Sequence, residues 1–360
     1  LCAARTGLVL VAAPQLDLDG HEGLVLLQMA NRKRHSVVRA LAPGVPSVST
    51  APRLLHCGRE RVESSLIELG YPRERARRLA HASNGGFSYR LRLIQELSVQ
   101  PEWAASGDAA DLAVASLIGR WSEDKSGDRE VVEKLSGNSF GEWTTRARRL
   151  LAKVGTPLTL NGQKWRFYLR HEGWFALGSR VTEAQLTDLR NALVSALGEP
   201  QEALDMPKDE RYMASLIGKS SKYSSGIRGE LAATVAMLGA YPEPLTQLRA
   251  GVAEGLASVV VRELLDDHDW KRWAALNDVF PALAEGAPDV FLEQLERWIV
   301  KSRSQVQLLF EQEGPAMTGT SYFTGILWAL ETVAWNPALL TRTALVLAAL
   351  AAIDPGGNWA

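Results

Sequence analysis

Two periodicities alternate along the chain and divide it. A short apolar run rich in β-formers, Thr6 to Pro14 ("TGLVLVAAP"), predicts a buried strand closed by proline. His35 to Leu41 ("HSVVRAL") predicts a second strand. Between them "DGHEGLVLLQMANRKR" has helical spacing. Strand, helix, strand is one edge of a parallel α/β sheet. The Pro-rich stretch Ala42 to Arg53 then reads as a linker. Helical spacing follows. "GRERVESSLIELG" stops at Gly70, and "YPRERARRLAHASNGG" starts on Pro72 and stops at Asn84-Gly85-Gly86. "FSYRLRLIQELS" predicts a third helix.

From Asp108 a specific order appears. "DAADLAVASLIGRW", "DREVVEKL" and "SFGEWTTRARRLLAKVG" predict three helices, the last opened by Ser139 with Glu142 as a capping box. "PLTL" and "KWRFYL" flank Asn161-Gly162, a tight-turn signal for a hairpin. Three helices and then a hairpin predict a winged helix, with sheet confined to this wing and the N-terminal edge. "VTEAQLTDLRNALVSALGEP" predicts a further helix capped by Thr182 with Gln185. Beyond Gln201 no period-2 run occurs. "GELAATVAMLGAY", "LTQLRAGVAEGLASVVVREL", "PDVFLEQLERWIV" and "NPALLTRTALVLAALAAI" are apolar-periodic, with Pro288 and Asn336-Pro337 opening the last two. Many helices on short connections predict a solenoid-like array. With no clean repeat period, an irregular bundle stays open. The expected fold is mainly α, with an α/β edge remnant at the N-terminus. Trp298, Trp328 and Trp335 lie in apolar helices and read as core, while Trp270 and Trp273 are spaced to cover a neighbouring helix.

Composition adds two points. The formal net charge of −1 gives no bulk signal for nucleic acid or membrane, but the charge is split. Residues 1–200 hold 27 Lys and Arg against 21 Asp and Glu, and residues 201–360 hold 13 against 20. Opposite signs suggest different surroundings or a face where the halves meet. Cys2 and Cys57 alone form no disulfide framework, which fits a reducing cytoplasm. The longest apolar run, Ala344 to Ile353, is roughly half of the ~20 residues that span a bilayer, so no membrane segment is expected.

Catalytic motifs are missing from the sequence. There is no G-x-x-x-x-G-K-[ST], no H-E-x-x-H and no G-x-S-x-G, and the cysteines and histidines lack metal-ligand spacing. No catalytic or metal-binding residue is assigned. Two basic constellations are candidates. Gly85-Gly86 precede a helix carrying Arg90 and Arg92, where a backbone turn and a fixed guanidinium suit phosphate. The bland alternative is a solvated basic helix behind a glycine cap. Arg146, Arg149 and Lys153 fall at i, i+3 and i+7 on the third winged-helix helix, opposite Phe140, Trp143, Ala147, Leu150, Leu151 and Val154. With Lys164 and Arg166 on the wing, that stripe has the form of a major-groove reader. The near-neutral chain favours a packing face instead.

An α/β remnant, an Arg-rich helical unit, a winged helix and a helical array, in that order, resemble the middle and C-terminal parts of STAND-type signal-transduction NTPases. These are large bacterial and eukaryotic switch proteins related to AAA ATPases, with a P-loop core, a helical lid, a winged helix and a repeat sensor. "LAHASNGGFSYRLRLI" looks like the lid segment, where a glycine-led helix carries an Arg near the nucleotide. "LIGRWSEDKSGDREVVEKL" and "LWALETVAWNPALLTRTALVLAALAAIDPGGNWA" also look like long bacterial proteins of this kind. The resemblance implies the edge of a P-loop domain at 1–52, a lid at 53–100, a winged helix at 101–200 and a repeat-like domain at 201–360. It implies that Arg90, or failing that Arg92, faces ATP bound with Mg in the full-length protein, behind Gly85 and Gly86. It further implies a regulatory role, protein partners or self-association through the array, and a cytoplasmic setting. The phosphate loop and acidic Mg-binding strand have no match here and are expected upstream of Leu1. The closing turn, Asp354-Pro355-Gly356-Gly357, accordingly reads as a break between helices of an array that continues. The competing expectation is a helical scaffold whose winged helix binds DNA.

Overall fold

In the computed structural model the described residues are Val9–Ala12, Ser36–Arg39, 59–69, scattered positions from 71 to 80, and 101–356 without 154–155, 209, 215 and 311–320. They are mainly helical. The chain divides into two compact units, Leu1–Val62 and Glu63–Ala360. In the first, β1 (Val9–Ala12) pairs in parallel with β2 (Ser36–Arg39), in register from Val9 opposite Ser36 to Ala12 opposite Arg39. These are the two expected strands. The helix expected between them lies outside the described residues. Helix α1 (Arg59–Glu68) crosses the unit boundary and buries Val62 and Leu66.

The second unit opens with the winged-helix order. Helix α2 (Ala109–Ile118) leads into β3 (Arg120–Ser122), then α3 (Ser126–Ser136), α4 (Phe140–Leu151), β4 (Leu158–Asn161) and β5 (Lys164–Phe167). The three strands are antiparallel in the order β3-β5-β4. Strand β3 corrects the sequence expectation, which ran the first helix through "GRW" and confined sheet to the wing and the N-terminal edge. The cause is Gly119, whose φ of 75° ends α2 and whose carbonyl accepts from Phe167 N at 2.7 Å. That bond starts the sheet one residue before Arg120. The hairpin also shifts by one position: Asn161 pairs with Lys164, so the turn is Gly162-Gln163. At the start of α4, Ser139 Oγ accepts from Glu142 N at 3.4 Å and donates to the Glu142 carboxylate at 2.7 Å.

Three indoles fill this domain. The ring of Trp121 stacks on Trp165 with centroids 5.5 Å apart and meets Trp143 edge-on at 5.2 Å. All three are fully buried. The expected core face of α4 is present: Trp143, Ala147 and Leu150 are buried, and Phe140 and Leu151 pack against the core. Val154 lies outside the described residues. Helices α5 (Arg170–Leu177) and α6 (Glu183–Leu197) follow; Thr182 N donates to Gln185 Oε1 at 3.0 Å before α6.

Beyond α6 the helices form two rows. The first row is α7 (Ser225–Ala240), α10 (Phe280–Gly286) and α13 (Thr324–Ala334). The second is α8 (Val252–Leu265), α11 (Pro288–Lys301) and α14 (Leu340–Ala351). Each first-row helix pairs with the second-row helix after it, so α7/α8, α10/α11 and α13/α14 stack in succession. Short helices α9 (Trp270–Ala275) and α12 (Arg303–Leu309) bridge the connections. The rows differ in closeness. A Cβ on Gly239 would overlap the Gly286 carbonyl, and one on Gly325 would overlap the Asn277 backbone oxygen. Glycine lets the first row approach backbone to backbone.

The array core centres on Trp273 and Trp298, stacked at 4.3 Å with both indole N–H groups on backbone carbonyls. Trp298 is therefore core, as expected. Trp328 and Trp335 are not. They are 60% and 75% exposed: Trp328 falls beside exposed Leu327 and Glu331 on α13, and Trp335 caps the end of that helix. The helix expected over 245–264 begins only at Val252, after Gly251 with φ 81°. The helix expected from Asn336 begins at Leu340, after a turn in which Asn336 Oδ1 accepts from Ala338 N. Among the described residues, no helix is long and apolar enough to cross a membrane.

Candidate functional site

The first candidate, Arg90 and Arg92 behind Gly85 and Gly86, lies wholly outside the described residues. The second is the outer face of α4 and the wing. Capping at Ser139 and burial of Trp143, Ala147 and Leu150 turn the basic residues of α4 outward. Most of their charges are then answered within the domain. Arg146 grips Asp111 of α2 with Nε and Nη2 at 2.8 and 3.1 Å, a fork on a carboxylate. The Asp111 hydrogen bond and charge hold the guanidinium above its ordinary range. Lys153 pairs with Asp108 at the start of the same helix. Arg148 reaches Glu123 at 2.9 and 3.0 Å, where Trp165 Nε1 also donates at 2.7 Å. Arg149, Lys164 and Arg166 are exposed. Two residues of the i, i+3 and i+7 stripe, Arg146 and Lys153, thus tie α4 to α2, and Arg148 beside the stripe ties it to the β3 end. Asp108 and Asp111 were visible in the sequence, but nothing in it showed that a fold would set them opposite Lys153 and Arg146.

The same domain is clamped to α7 by a seam of buried polar groups that the sequence did not reveal. Asp128, fully buried in the first turn of α3, accepts from Ser122 N at 2.8 Å, Ser224 N at 2.8 Å and Ser224 Oγ at 2.6 Å. Ser224 is also the N-cap of α7, accepting from Ile227 N at 3.1 Å. One carboxylate therefore holds β3 and the start of α7 together. Burial pushes the Asp128 carboxyl above its ordinary range, against the pull of these donors.

Arg170 continues the seam. Its Nη2 donates to Thr234 Oγ1 at 2.7 Å and to Glu230 O at 3.2 Å, and its Nε lies 3.5 Å from the Glu230 carboxylate. Thr234 in turn donates to Leu117 O at 2.6 Å, and Trp174 Nε1 donates to Tyr241 O at 2.7 Å. Arg228 of α7, also buried, donates to Ala196 O at 2.6 Å and Ala275 O at 2.8 Å. It satisfies the carbonyl ends of α6 and α9, where a cation also complements the helix dipole. The only hint in the sequence was polar residues inside apolar-periodic helices.

Beside the α7 N-terminus lies a cavity of about 340 Å³, bordered by Glu199, Lys219, Ser221, Arg228 and Asp278. Much of its polarity is already spent. Glu199 accepts from Lys222 N at 2.6 Å and from the Ser221 hydroxyl, and Arg228 serves the two helix ends. Among the described residues no three His, Cys, Asp or Glu side chains are grouped to hold a metal. Comparison with known proteins finds no matching family model, curated protein or solved structure.

Proposed function

We propose that this chain is the regulatory and sensor part of a STAND-like NTPase switch, coupling nucleotide state to recognition of a protein partner. The observation that supports this reading is the seam. A coupling element needs two bodies whose relative position is fixed by contacts that a ligand can bias. Asp128, Arg170 and Thr234 join the winged helix to the first array helix through hydrogen bonds that are buried or half-buried, while Arg170 keeps Nη1 buried without a hydrogen-bond partner. Groups of this kind hold one arrangement and penalise intermediate ones, since an opened seam leaves buried donors without acceptors. ATP with Mg would be bound by the P-loop region that the resemblance implies, with Arg90 or Arg92 of the lid as the residue sensing the γ-phosphate. On the helix that the sequence predicts there, these two would lie about 200° apart around the axis, so only one could face the nucleotide.

In a protein that carries the P-loop, Arg90→Ala and Arg92→Ala are expected to differ, one of them weakening ATP binding relative to ADP. Wild-type nucleotide affinity and turnover in both variants would remove the lid assignment and with it this reading. A sub-micromolar duplex affinity that falls steeply with salt and is lost in Arg146→Glu/Arg149→Glu would replace it with the DNA-binding alternative.

A further inference from the structure

Three aromatic rings meet where α5 lies against the end of α7. His171 and Phe175 of α5 and Tyr241, the residue that closes α7, have ring centroids 5.1 Å apart for His171–Phe175 and His171–Tyr241 and 6.2 Å apart for Phe175–Tyr241. Both Tyr241 contacts are edge-on, so neither partner ring lies flat over Tyr241. Phe175 and Tyr241 stay 46% and 38% exposed. The backbone beneath them is fixed. Trp174 Nε1 donates to Tyr241 O at 2.7 Å, and a Cβ on Gly178 would overlap the Pro244 carbonyl, so the chain leaving α7 is pressed on the end of α5. Side chains on such a base hold their positions for a ligand.

The surroundings of these rings are negative. Glu285 stands in the last turn of α10, which the close approach of Gly239 to the Gly286 carbonyl sets against the end of α7. The charges acting on the Tyr241 hydroxyl are Glu285 and Glu243. Although Glu285 reaches solvent, nearby protein pushes its carboxyl above the ordinary range, and no cation draws it back. Burial holds the His171 imidazole below its ordinary range, so it stays neutral at pH 7 and supplies no competing charge. Helix α7 adds its own end: it runs for 16 residues with no basic residue in the last turn, so the negative pole at Tyr241 is uncompensated. Ring faces, a carboxylate and a helix C-terminus all attract a cation. A guanidinium fits all three at once. It is flat enough to stack on a ring, forks onto a carboxylate and loses its water more readily than an ammonium.

We propose that Phe175, Tyr241 and Glu285, with His171 behind them, form a docking site for an arginine side chain of a protein partner. The site shares no residue with the nucleotide reading, so either can fail without the other. The test is an NMR titration of the chain with a blocked Gly-Arg-Gly peptide. Saturable shifts at Phe175, Tyr241 and the Trp174 indole are expected, with a dissociation constant of about 1–10 mM for so small a probe. The same peptide with citrulline, which keeps the shape and loses the charge, should bind about tenfold more weakly or worse. Phe175→Leu and Glu285→Gln, both at exposed positions, should each weaken the arginine peptide about threefold or more. Asp266→Asn, an exposed carboxylate at the end of α8, should leave it unchanged. Absence of saturation by about 50 mM overturns the proposal. So does equal binding of the citrulline peptide, or a loss in Asp266→Asn that matches Glu285→Gln. Tetramethylammonium binding tighter than the arginine peptide would also overturn it, by making the site one for a small quaternary ammonium.

Discussion

The winged helix and the last helix pair put the same residue type to opposite uses. Trp121, Trp143 and Trp165 are stacked inside the first, while Trp328 and Trp335 stand out from the second. Charge follows the reverse pattern. The outer face of α4 is crowded with arginine and lysine, and Arg146, Arg148 and Lys153 each meet a carboxylate of their own domain. The outer face of α14 has no charge to pair. The first region answers most of the charge on its outer helix within itself; the second leaves large apolar side chains exposed. A basic stripe is therefore weak evidence for a partner, and an uncharged helix side is stronger evidence.

The largest effect should separate buried from exposed indoles. Trp273→Ala is expected to cost about 3–5 kcal/mol in urea unfolding, because its stacked partner Trp298 and the surrounding core collapse only in part. Trp335→Ala should stay within about 0.5 kcal/mol. Equal costs would erase the contrast. Next is the seam. Asp128→Ala strands one buried and two half-buried donors and should cost about 2–3 kcal/mol. Its pH dependence sharpens the point. Because burial raises the folded carboxyl above its unfolded value, folding takes up protons there. The Asp128 contribution is full below the unfolded carboxyl pKa and is lost as pH rises through the raised folded value. The wild-type advantage over Asp128→Ala should therefore shrink across that rise; an advantage that grows with pH would reverse the assignment.

Gly239→Ala should cost about 1–3 kcal/mol, since the new methyl meets the Gly286 backbone carbonyl and cannot rotate away. Gly255→Ala on α8, where a Cβ meets nothing, should be neutral or stabilising by comparison. Smallest is the stripe. A double-mutant cycle on Arg146 and Asp111 should return a coupling of about 0.2–1 kcal/mol, because the guanidinium remains partly exposed. A cycle reading zero would mean the stripe is not committed inside the domain.

Local signals carried most of the fold into view. Ser139 with Glu142, Thr182 with Gln185, Pro288 and, to within one position, the Asn161-Gly162 signal mark ends, and ends are set by nearby chemistry. Strand β3 was hidden because three residues have no period of their own and depend on Phe167, far along the chain. The outward direction of Trp328 was hidden for a related reason. In "GILWALETVA" apolar residues fall on every side of the helix, so periodicity names no buried side, and Glu331 is the one charge beside Trp328. The seam was the least legible part, because Asp128 and Ser224 are 96 residues apart and each reads alone as an ordinary helix-end residue.

The glycine contacts of the first row have a mechanical consequence. Along α7, α10 and α13 the backbones already touch near Gly239, Gly286 and Gly325, so that edge of the stack cannot be compressed. The second row is linked largely through side chains, such as Arg262 with Glu293 and Arg342 with Glu296, and side-chain links lengthen more easily than packed backbone. Bending should therefore pivot on the glycine edge and fan the opposite edge open or shut. The array is stiff as a spine on one side and pliant as a page edge on the other, so a load on α14 would be felt as rotation about a line running back toward Gly239.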